Sequence, residues 1–97
     1  MVRKTRNKEH YMPRIDGELD LHGCRSEEAR YELATFLAEA RANGWSRVRV
    51  IVGKGIHSEY GQAVLPHVVK GYLMREGLRY TYAKLQEGGE GALVVCL

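Results

Sequence analysis

The order of elements legible in the sequence is βαβαββ, which predicts an α/β fold built as an α+β two-layer sandwich: a mixed four-stranded sheet with two helices. Three observations carry this. "ELDLH", residues 18–22, alternates polar and apolar side chains as a strand does. Ala29, Leu33, Phe36, Leu37 and Ala40 then repeat at helical spacing. Two β-branched runs, "RVRVIV" (47–52) and "ALVVCL" (92–97), supply further strands.

Taken in order, Ile15-Asp16-Gly17 marks a turn into the domain, and Leu19 and Leu21 share one face of the first strand, with Glu18, Asp20 and His22 on the other. Gly23 ends it. Ser26 is the expected N-cap of the first helix, with Glu27 and Glu28 in the first turn, where the helix dipole favours carboxylates. Asn43-Gly44 is a stop signal. After the second strand, "GKG" (53–55) and a polar loop through His57, Ser58 and Gly61 lead to a second helix. Its apolar stripe is Leu65, Val68, Val69, Tyr72 and Leu73; Pro66 belongs in its first turn and Gly77 ends it. Leu78–Leu85 reads as the third strand, Glu87–Gly91 as a glycine-rich turn, and Ala92–Leu97 as a wholly apolar fourth strand.

At 97 residues the chain is long enough for one domain and one modest core. With 44% hydrophobic and 28% charged residues it is not a disordered chain. No apolar run approaches a membrane span, and no apolar segment follows the N-terminal charges, so neither a membrane partner nor a secretory leader is expected. Cys24 and Cys96 make neither a disulfide framework nor a zinc spacing, and a reducing cytoplasm is the expected compartment. A monomer is the default.

The net charge of +3 is uneven. Residues 1–14 carry Arg3, Lys4, Arg6, Lys8 and Arg14 against Glu9 alone, a local charge of +4, and residues 15–97 sum to −1. The sequence therefore divides into a basic, flexible N-terminal arm (1–14) and a near-neutral domain (15–97). Such an arm suits a polyanion, most often nucleic acid; the alternative is a solubilising leader.

A right-handed crossover makes the first two strands parallel, so their C-terminal ends share one edge of the sheet, where ligands bind in open α/β sheets. Asp20 and His22 lie at one of these ends and Gly53-Lys54-Gly55 at the other. A carboxylate beside an imidazole fixes its tautomer and raises its basicity, as a general base requires. The alternative is a histidine bonded to a neighbouring loop while Asp20 caps a turn. Paired glycines allow backbone N–H groups to cradle an anion, with Lys54 adding charge and Ser58 a hydrogen bond. The spacing is neither a Walker loop nor a dinucleotide fingerprint, and a plain tight loop is the alternative. His57 brings a second imidazole. Two imidazoles and a carboxylate suit the acid and base of phosphodiester cleavage, or equally a metal ion. His10 and His67 read as solvated, Cys24 as a small packed residue, Cys96 as core, and Trp45 as a packing anchor. Tyr80 and Tyr82 are open.

"LDLHG" (19–23), the "EEA" helix start, "GKGIHS" (53–58) and "GGEGALVV" (88–95) together resemble the Smr (small MutS-related) domain family, in its order and over residues 18–97. The resemblance implies a sandwich similar to the C-terminal domain of a translation initiation factor, and an endonuclease acting on DNA or on RNA, including messenger RNA at stalled ribosomes. The family's Asp-Leu-His motif falls on Asp20, Leu21 and His22, and its Gly-x-Gly loop on Gly53, Lys54 and Gly55. Val52 stands where the family often has Thr or His, so a polar group near the phosphate is missing. The expected function is phosphodiester cleavage, RNA favoured over DNA. Its catalytic residues are Asp20, His22 and His57, with phosphate contacts from Gly53, Lys54, Gly55, Ser58 and the arm cations Arg3, Lys4, Arg6, Lys8 and Arg14. No cofactor is required; magnesium or manganese enters only if DNA is the substrate, with Glu59 as a possible second carboxylate. The alternative is a non-catalytic module that docks on nucleic acid or ribosome.

Overall fold

A computed structural model describes residues 3–6, 15–53, 64–83 and 91–97. It holds β1 (Arg3–Arg6), β2 (Gly17–Asp20), α1 (Ser26–Ala42), β3 (Arg47–Ile51), α2 (Val64–Arg75), β4 (Arg79–Tyr82) and β5 (Ala92–Cys96). All four expected strands and both helices are present. The strands join in one sheet of order β1-β2-β3-β5-β4, with β2 and β3 parallel and every other pair antiparallel.

The fifth strand is β1, and it lies within the segment expected to be a flexible arm. "RKTR" has no apolar period for a sequence reading to detect. What places it is the outer edge of β2, whose backbone groups otherwise lack a neighbour on that side. Charged side chains suit an edge strand because they discourage further pairing. Lys8 and Arg14 lie outside the described residues.

Both helices pack on one face of the sheet. Leu19 of β2, Val48 and Val50 of β3, and Leu93 and Val95 of β5 meet Leu33, Phe36 and Leu37 of α1 and Val69 and Leu73 of α2, all buried. Leu19 and Leu21, read as sharing one face of their strand, are both buried in this core. The opposite face carries a smaller cluster of Ile15, Ala83, Ala92 and Val94, with Ile51 against it. Cys96 belongs to this second face, between Arg47 and Arg79 in register, and is half-buried rather than core. An apolar terminal strand does not by itself say which of its faces the helices cover.

Trp45 is the anchor the sequence suggests. Its ring meets Phe36 edge-on, with centroids 6.1 Å apart at 61°. It also lies so close over Gly17 that any Cβ there would overlap it. The turn into the domain is fastened by Asp16, whose Oδ2 accepts the backbone N–H groups of Ser46 (2.8 Å) and Arg47 (3.2 Å).

Helix α1 departs from expectation at its start. Ser26 is its first helical residue; the cap is the extended Arg25 (φ −77°, ψ 159°), with no side-chain capping bond. The acidic first turn (Glu27, Glu28) and the stop at Asn43-Gly44 are as read, with Gly44 at φ +71°. Tyr80 packs against the main core, whereas Tyr82 is exposed and meets the Lys70 ammonium through its hydroxyl and its ring face.

Candidate functional site

The parallel pairing of β2 with β3 brings their C-terminal ends together, as the crossover argument requires. Asp20 is in register with Ile51, and the Leu21 N–H donates to the Ile51 carbonyl at 2.8 Å, carrying the ladder one residue further. The chain then turns sharply. Cys24 N–H donates to the Leu21 carbonyl at 3.0 Å, and Gly23 at φ +82° takes the third turn position, where a side chain would be strained. His22 is at the corner of this turn and so projects outward while Leu21 is drawn into the core.

Asp20 and His22 form a tight unit. One carboxylate oxygen, Oδ1, accepts the His22 backbone N–H at 3.1 Å and lies 2.5 Å from the ring Nδ1. The Asp20 side chain is 12% exposed and that of His22 is 64% exposed. The carboxylate therefore caps the turn and also holds the ring. In the tautomer whose Nδ1–H donates to Asp20, the lone pair lies on Nε2 of this mostly exposed ring.

The second strand end closes on this unit. A Cβ built on Gly53 would stand 3.6 Å from the His22 Cβ, in ordinary contact, so the two loops adjoin. Gly53 adopts φ +77°, and its N–H and that of Val52 both donate to one acceptor, the Gly91 carbonyl, at 3.0 and 2.8 Å. The Gly53 amide, expected as the first donor of an anion cradle, thus donates within the fold. Lys54, Gly55, His57, Ser58 and Glu59 lie outside the described residues. Sequence reasoning missed the clasp by Gly91, whose only signal was its place in the glycine-rich turn before β5.

Along the same sheet face, Glu18 Oε2 accepts the Arg49 Nε–H at 2.7 Å. Cys24 is half-buried; burial first, and then the Glu28 carboxylate, raise its thiol pKa, so it is not an activated nucleophile. His67 is exposed, as read. Among the described residues no three His, Cys, Asp or Glu side chains stand together as a metal site, and no helix is long and apolar enough to cross a membrane.

A two-layer α/β domain with a carboxylate-held histidine at the parallel strand ends is the class that fold and site define. The chain belongs to the Smr domain family, whose model matches residues 19–97. It is 35% identical over 78 residues to "Endonuclease NBR9" of Saccharomyces cerevisiae, covering 80% of this chain and 31% of that protein. It is also 35% identical over 88 residues to "Endonuclease MutS2" of Fusobacterium nucleatum, covering 91% of this chain and 11% of that one. The chain thus spans less than a third of these two relatives. Among solved structures, the Smr domain of Thermus thermophilus MutS2 superposes with a TM-score of 0.72 at 35% identity, covering 82% of this chain and 95% of that one. YdaL of Escherichia coli, a stand-alone small MutS-related protein, shares the fold with a TM-score of 0.79 at 23% identity, over 100% of this chain and 83% of that one.

Proposed function

We propose that this Smr domain is an endonuclease that cleaves phosphodiester bonds, with RNA as its preferred substrate. The observation that carries the reading is the 2.5 Å contact between a nearly buried Asp20 and an exposed His22. A histidine kept only for packing has no need to present a ring nitrogen outward while a carboxylate fixes the other. The endonuclease names of two relatives support the reaction class.

RNA carries its own nucleophile. Nε2 of His22 takes the proton of the 2′-hydroxyl, and that oxygen attacks the adjacent phosphorus. The bond to the 5′-oxygen breaks, and the leaving oxygen takes a proton from an acid, a role we assign to His57. The products are a 2′,3′-cyclic phosphate and a 5′-hydroxyl. Asp20 stabilises the imidazolium formed in the first step. DNA lacks the 2′-hydroxyl, and its hydrolysis calls for an activated water, usually on a metal held by several oxygen ligands. The described donors at the site, one carboxylate and one imidazole, do not make such a set by themselves.

The test is a short RNA and its counterpart with a single 2′-deoxy nucleotide at the cut position, each incubated with the protein in excess chelator. The RNA should be cut, leaving a cyclic phosphate, and the deoxy-substituted strand should survive. Cutting of both strands alike would exclude the 2′-hydroxyl route. Tight binding without any cleavage, with or without added magnesium or manganese, would make the domain a docking module instead.

A further inference from the structure

The two tyrosines of β4 divide: Tyr80 packs against the main core, whereas Tyr82 is 49% exposed and does not. Strand β4 runs in the direction of β2 and β3, because β3 and β4 both pair antiparallel with β5. Tyr82, its last residue, therefore stands at the sheet edge that carries Asp20 and His22. The register measures the separation, since Leu19, Val50, Leu93 and Tyr82 lie in one row across four strands. At about 4.8 Å per strand, that row spans about 14 Å. A stacked strand of nucleic acid advances about 3.4 Å per nucleotide, which puts Tyr82 within about four nucleotides of a phosphate held at His22.

Charge agrees with this placement. Residues 15–53 hold seven carboxylates against five cations, whereas residues 64–83 hold Lys70, Arg75 and Arg79 against Glu76 alone. Helix α2 contains no carboxylate, so α2 and β4 form the side of the domain that favours a polyanion. The Lys70 ammonium lies 4.5 Å from the centroid of the Tyr82 ring and donates to its hydroxyl. Resting on the nucleic-acid reading above, we propose that Tyr82 and Lys70 form a subsite for a nucleotide flanking the cut. The base stacks on the tyrosine ring, and an adjoining phosphate meets the lysine. An ammonium has three N–H donors, so the bond to the hydroxyl leaves two for phosphate oxygens. Every base has a π-face, so the subsite tolerates any sequence. A duplex hides those faces between its base pairs, so the subsite selects unpaired RNA.

The experiment measures the affinity of the full chain for a labelled single-stranded RNA carrying one 2′-deoxy nucleotide at the cut position. Tyr82→Ala and Tyr82→Leu should bind it about 5- to 150-fold more weakly, the range for loss of one stacked base. Tyr82→Phe should bind close to the parent. Lys70→Ala should flatten the dependence of log affinity on log salt by about 0.7, the loss of one phosphate contact on a single strand. Removing the base, but not the sugar or phosphate, at one position flanking the cut should weaken the parent and leave Tyr82→Ala unaffected. Tyr82→Leu keeps an apolar side chain on the strand, and a melting curve shows whether the alanine loosens it. Parent affinity in Tyr82→Leu would overturn the subsite, as would base-removal losses that persist at every position in Tyr82→Ala. Normal cleavage by His22→Ala, with Tyr82→Ala still weakened, would defeat the endonuclease reading and leave the subsite standing. Should the parent cut nothing, the same affinities on an all-RNA strand still decide the subsite, and it is the endonuclease reading that fails.

Discussion

A single oxygen of Asp20 both fastens a turn and orients a ring, and the two tasks respond differently to substitution. Asparagine in its place keeps an oxygen for the His22 backbone N–H but loses the charge that favours the imidazolium. Asp20→Asn should therefore fold normally and cleave slowly. His22→Ala removes the base outright, and single-turnover cleavage should fall by about 10²–10⁴-fold. Because the His22 side chain is mostly exposed, the melting temperature of His22→Ala should stay close to that of the parent. An Asp20→Asn variant of full activity would show that the carboxylate serves the turn alone. At this scale the sequence was informative: the alternation through residues 18–22 put Leu19 and Leu21 in the core and left Asp20 and His22 to be explained. It could not show that one oxygen serves two partners, since that depends on how sharply Gly23 turns the chain.

Gly17 and Trp45 show how two elements fix each other. The Trp45 ring follows α1, reaches Phe36 with its edge, and lies flush on the first residue of β2. A methyl group at Gly17 has nowhere to go unless the ring shifts, and forced repacking of this kind typically costs about 1–3 kcal/mol. Gly17→Ala should lower the urea midpoint accordingly; a variant of unchanged stability would mean that the ring moves aside freely. Nothing in the sequence distinguished Gly17 from a turn glycine, because its partner lies 28 positions further along the chain. The start of α1 was misread for a related reason. Ser26 has the chemistry of a cap, but the tight turn through Gly23 places Arg25 at the last extended position.

Across the whole molecule, the edge strand links charge to architecture. Deleting residues 1–14 removes five cations and, with β1, the outer ladder of β2. If those cations meet phosphates, the dependence of log affinity on log salt should flatten by about three to four units for a single strand. The ladder bonds are largely offset by the entropy of ordering the strand. A net loss of about 1 kcal/mol would lower the melting midpoint by roughly 4–8 °C. An unchanged midpoint together with a flattened slope would describe a tail that binds but does not pair.

The sequence by itself determined the parts whose signal is local and periodic. Both helices, the four strands other than β1, the parallel crossover and the meeting of Asp20 and His22 with the Gly53 loop follow from side-chain spacing and from the single hand a strand–helix–strand unit adopts. Only the tertiary structure decided what depends on a surface offered by a distant part of the chain. A run such as Arg3–Arg6 has no apolar face, and it becomes a strand because β2 presents unpaired backbone groups to it. Likewise, the Gly53 amide is taken by Gly91 because two turns far apart in sequence close on the same corner of the sheet. Every residue type except proline carries the same backbone donor and acceptor, so no spacing of side chains announces these bonds.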